Sequence, residues 1–159
     1  MSLAQQAVAE LNSAQEYFNR STRGLTEEHS GLMPAPDMMT AAQQVAHAAQ
    51  TIEWFIAGAF APSGFDLDFD AHAKVVQACT SLTEARAWFD KAIAEAAATI
   101  GSKSDADLTA PLPAGPVMGG APRMAIFGAI TDHTAHHRGA LAVYARTKGI
   151  APPMPYGDM

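Results

Sequence analysis

Four long stretches of the chain repeat apolar residues every three to four positions, the period of amphipathic helices. The first opens at Ser2, whose pairing with Gln5 gives the S-x-x-Q pattern of a capping box, and continues through Leu3, Ala7, Val8, Leu11, Ala14 and Phe18. It should end by Gly24, because Gly31, Pro34 and Pro36 make the segment Leu25 to Asp37 a connection, with room for one short turn at Thr26-Glu27-Glu28. Thr40 with Gln43 repeats the capping signature and starts a second helix through Val45, Ala48, Ala49, Ile52, Phe55, Ile56, Ala59 and Phe60. Opposite that stripe a second face gathers His47 with Gln43, Gln50, Thr51 and Trp54, so this helix should pack against more than one neighbour.

Pro62, Gly64 and the run Asp66 to Asp70 interrupt the periodicity, and a short helical piece over Ala71 to Cys79 is expected after them. Ser81 with Glu84 begins the next long helix, which carries Leu82, Ala85, Phe89, Ala92, Ile93, Ala96 and Ile100 and stops at Gly101. From Gly101 to Ala121 the crowding of Asp, Ser, Pro and Gly predicts a long loop. Pro122 suits the first position of a last helix that runs to about Lys148, with Gly149 as its cap. Its apolar seam reads Ile126, Ile130, His133, His137, Leu141, Tyr144. The proline-rich tail from Ile150 to Gly157 should lie draped on the helices.

Composition agrees with this pattern. The 159 residues suit one domain, 1–159, with a core of its own, and the abundance of Ala over Val and Ile favours an all-α fold. A net charge of -6 with ten Lys plus Arg excludes the dense basic face of a nucleic-acid binder. Cys79 is the only cysteine, which rules out an intrachain disulfide and points to a reducing, cytoplasmic setting. The first residues lack the basic start and apolar core of a signal peptide, and no run approaches the ~20 apolar residues of a membrane span.

The candidate chemistry lies in the last helix. His133 and His137 are four residues apart, so one turn stacks them on the same face. Both fall in the apolar seam, where a buried polar group without a partner costs roughly 1 to 3 kcal/mol. Either a shared divalent metal or separate hydrogen bonds to neighbouring helices would satisfy them. His47, on another helix and in polar company, is a third candidate ligand, and three imidazoles with an open position is the ligand count of a catalytic zinc site. Trp54, Thr51 and Gln50 could wall a pocket beside it. Asp132 lies one turn before His136, a spacing that suits a helix-surface pair, and is also a candidate to orient a ligand. His29 and His72, in or near loops, are poorer ligands. Thr134 stands where a zincin peptidase would carry Glu, no E-x-x-H occurs, and the Gly115 to Gly120 segment lacks the Gly-Lys ending of a phosphate loop.

His133 to Gly139, then Leu141, Tyr144, Arg146, Gly149, Pro152-Pro153 and Tyr156-Gly157, together with His47 in the second helix, resemble the signature of the DinB-like superfamily. These are four-helix metalloproteins, distinct from the DNA polymerase of similar name. The resemblance implies an up-and-down four-helix bundle with a long crossover connection, usually homodimeric, holding one divalent ion through His47, His133 and His137. Characterised relatives include S-transferases and an isomerase that use low-molecular-weight thiols such as bacillithiol or mycothiol. The implied activity is therefore activation of such a thiol on a small-molecule electrophile. Hydrolysis by metal-activated water and a non-catalytic metal-binding dimer are the alternatives. Histidine ligands suit zinc or nickel first, and iron or copper as well. One departure stands out: Ala140 occupies the place after His-Arg-Gly where the family often has Gln.

Overall fold

The structure is a computed structural model and describes residues 1–157. Six α-helices appear in it: α1 (Leu3–Thr22), α2 (Ala41–Phe60), α3 (Phe69–Ala78), α4 (Leu82–Gly101), α5 (Asp105–Thr109) and α6 (Ala125–Thr147). The expected capping boxes are present. Ser2 and Gln5 exchange side-chain and backbone hydrogen bonds at the start of α1, and Thr40 and Gln43 do the same at α2. Ser81 accepts from Glu84 N at the start of α4, and Asp68 accepts from Ala71 N at the start of α3.

The four long helices, α1, α2, α4 and α6, form a bundle. α1 packs on α4 and α6, and α2 packs on the same two, so α1 lies diagonally across from α2 and α4 diagonally across from α6. The connections from α1 to α2 and from α4 to α6 therefore both cross the bundle, which explains their length. This accounts for the two-faced character of α2: one flank meets α4 and another meets α6 within the same chain. Ala41, Ala42, Ala46, Ala48, Ala49 and Ala59 are buried along α2, and Ala85, Ala92 and Ala96 along α4. Such small side chains let the two helix backbones approach closely. Larger groups, among them Leu11, Phe18, Ile52, Phe89, Ile93, Ile126, Ile130 and Leu141, fill one continuous core. Phe18 and Phe89 stack with centroids 4.4 Å apart.

Arg86 ties the first crossover down. Its guanidinium donates to Thr22 Oγ1, Thr22 O and Leu25 O, fastening the end of α1 and the residues after it to α4. A 3-10 turn at Glu27–His29 follows, one residue beyond the expected turn, and Glu27 reaches across to the start of α4.

The stretch from Gly101 to Ala121 is more ordered than its composition predicts. α5 forms within it, capped by Ser104, and Leu108 is fully buried. Pro122 does not open the last helix either. It sits in an antiparallel bridge with Pro111, Arg123 N donates to Ala110 O and Met124 N to Leu108 O, and the helix begins only at Ala125. Long-range backbone hydrogen bonds of this kind carry no local sequence signal. The tail does lie on the bundle: Arg20 donates to Met154 O, Tyr156 packs edge-on against Tyr17, and Ile150 covers Gly24.

Candidate metal centre

His47 comes from α2 and His133 and His137 from α6, and the packing of these helices brings the three rings together. Each offers a nitrogen within 4.8 Å of the others'. His133 Nε2 and His137 Nε2 are 3.2 Å apart, and the His47 ring stands edge-on to both, with centroids 5.0 Å away in each case. His137 is buried, while His47 and His133 are half-buried and open to the neighbouring cavity.

Burial disfavours the charged form of all three rings. Burial lowers the His137 pKa to about 3, with further contributions from His133, His47 and His136. Burial likewise brings His133 down to about 4, assisted by His47 and His136 and opposed by Asp132. His47 moves in the same direction, again through burial first and His136 second. A neutral imidazole has one lone pair to give, so the cluster presents three nitrogen donors without having to lose a proton first. The donor set fits a divalent ion that accepts imidazole.

The group that orients His137 is Gln44, a residue that the sequence pattern alone does not single out. Its Oε1 is hydrogen-bonded to His137 Nδ1, and its Nε2 donates to Tyr144 Oη at 3.2 Å. Tyr144 Oη donates in turn to Met39 O at 2.7 Å. A signal existed: Gln44 is three residues before His47 and Tyr144 two turns after His137, so both share a face with a candidate ligand. Asp132, read first as a helix-surface partner of His136 and second as a candidate to orient a ligand, is exposed and receives no hydrogen bond from the three histidines. Among the described residues it forms no ion pair with His136 either.

A cavity of about 590 Å³ adjoins the cluster, with His47 and His133 in its wall. Its volume is that of a small-molecule site. Gln50, Thr51 and Trp54 line it as expected, joined by Phe55, Phe69 and Val76. The Trp54 indole N–H donates to Asp66 O at 2.7 Å and its ring packs on Phe65 at 4.8 Å, so the wall is fastened to the loop that precedes α3. His72, set aside as a ligand, lies on α3 in the same wall, with Nε2 3.5 Å from Asp66 Oδ2. No Lys or Arg lines this cavity. Its wall is largely apolar, with Asp37 in it as a carboxylate.

The chain is thus a helical bundle in which three imidazoles converge beside a cavity of small-molecule size. The sequence model of the DinB superfamily matches residues 10–141, which include all three histidines, and the chain belongs to that superfamily. Solved structures agree in fold. A DinB-like protein from Bacillus cereus, 20% identical, aligns over 99% of this chain and 95% of its own with a TM-score of 0.69. One from Bacillus subtilis, 17% identical, aligns over 93% and 96% with a TM-score of 0.67. No curated protein sequence matches the chain. Among the described residues no helix is long and apolar enough to cross a membrane.

Proposed function

We propose that this DinB superfamily protein binds one divalent ion, zinc or nickel foremost, through His47, His133 and His137 and uses it to activate a low-molecular-weight thiol toward a small electrophile. The observation that carries the reading is the convergence of three imidazole nitrogens from two helices, two of the rings standing in the wall of one cavity. A bound divalent ion supplies Lewis acidity, which makes a thiol or water beside it easier to deprotonate. The chain's own part is to hold the ring nitrogens in register, to keep them unprotonated by burial, and to offer the apolar wall of Trp54, Phe55 and Phe69 to the body of the substrate. Homodimerisation belongs to this reading through the family resemblance alone, since the apolar faces of α2 are covered within the chain.

One observation favours hydrolysis as the second reading. His72, beside Asp66, is a further imidazole among the residues that line the same cavity, where hydrolysis would need a general base.

Metal analysis of tag-free protein tests the site. Wild type should carry close to one equivalent of divalent metal and His137→Ala should lose it; a wild type without metal, or a variant that keeps it, sinks the reading. Consumption of a model electrophile such as an aryl halide, with and without added thiol, then separates the two activities. Turnover indifferent to thiol removes the transferase.

A further inference from the structure

The line of hydrogen bonds behind His137 fixes more than its position. It starts at the Met39 carbonyl, which has no hydrogen to give. The Tyr144 hydroxyl, 2.7 Å from that oxygen, must therefore donate its single proton to it. With the proton so placed, the Tyr144 oxygen can only accept from Gln44, whose amide nitrogen lies 3.2 Å away. The amide carbonyl is then the group turned toward His137 Nδ1. Flipping the amide would set two oxygens against each other at Tyr144, neither carrying a hydrogen for the contact. Tyr144 and Gln44 are only 1% and 8% exposed, so water cannot readily relieve such a clash.

We infer that Gln44 and Tyr144 are positioning residues that hold His137 in the tautomer with hydrogen on Nδ1, so that its Nε2 lone pair is always bare. The inference rests on the proposed metal site. The Nε2 atoms of His137 and His133 lie 3.2 Å apart, so the lone pair held bare on His137 is turned toward the position the two rings would share with an ion.

Long-range proton–nitrogen NMR correlations of the imidazole rings at pH 7.5 test this in tag-free, metal-stripped protein, before and after one equivalent of zinc. Metal-free wild type should show hydrogen on Nδ1 of His137, and zinc should leave it there. Gln44→Leu should give a mixture and raise the zinc dissociation constant about 10- to 100-fold. Hydrogen on Nε2 of His137 in metal-free wild type overturns the inference, as does a Gln44→Leu protein with unchanged tautomers and zinc affinity. If Gln44→Leu does not fold, Tyr144→Phe carries the test: it frees the amide to flip, and both His137 tautomers should appear. A pure Nδ1–H form in that variant also overturns it. A wild type that binds no zinc defeats the metal reading, while the metal-free spectra still decide what Gln44 does.

Discussion

Gly58 and Phe65 fit together so closely that a Cβ built on Gly58 would lie 2.2 Å from the Phe65 ring. Glycine inside a helix normally costs about 1 kcal/mol relative to alanine, so Gly58→Ala should stabilise α2 if nothing else changed. Here the methyl group must displace Phe65, which packs on both Trp54 and Phe55. Overpacking of this kind typically costs about 1 to 3 kcal/mol. We expect Gly58→Ala to lose about 1 kcal/mol net, within the range these two opposing effects allow. Urea unfolding followed by tryptophan emission is the measurement; a more stable variant would show that the loop yields without cost.

Trp54 gives a prediction that separates the cavity from the cluster. Trp54→Phe keeps an aromatic ring against Phe65 but removes the hydrogen bond to Asp66 O. A loss of about 1 kcal/mol is expected for one such bond. Metal content should be unchanged, because Trp54 is not among the three clustered histidines. A Trp54→Phe protein that loses its metal would mean the loop before α3 governs the ligands as well as the wall.

Acid should undo a contact far from the histidines. Glu27 Oε2 accepts from both Thr83 N and Thr83 Oγ1 at 2.7 Å, and these hydrogen bonds hold its pKa down at about 2 against an ordinary 4.5. A carboxylate lowered in the folded state contributes stability that is complete above its unfolded pKa and is lost as pH falls through its folded pKa. The stability difference between wild type and Glu27→Gln should therefore be full at about pH 6, shrink below about pH 4.5 and vanish near pH 2. Thermal melts of both proteins across that range check it. A difference independent of pH would place the effect in shape rather than charge.

The long helices were legible because each carries a 3.6-residue apolar stripe, and three of them a cap as well. Ser2, Thr40 and Ser81 mark starts that the structure keeps. The three candidate histidines were legible for a related reason: polar rings in or beside an apolar seam need partners, and the structure brings all three together. What stayed hidden is non-local. Leu108 is buried by helices distant in the chain, and Pro122 is held by a bridge to Pro111 rather than by helical geometry. Gln44 was hidden by its neighbour, since Gln43 already accounted for a glutamine there through the capping box. Only the fold shows that Gln44 and Tyr144, far apart in sequence, meet behind one histidine.

The division of the three histidines between α2 and α6 has a mechanical side. These helices are neighbours in the bundle but lie far apart along the chain, joined through the whole of α3, α4 and α5. An ion gripped from both would act as a removable rivet, closing a very long loop without any covalent bond. Resistance to heat would then become a gauge of occupancy, rising with free metal concentration as binding to the folded state alone requires.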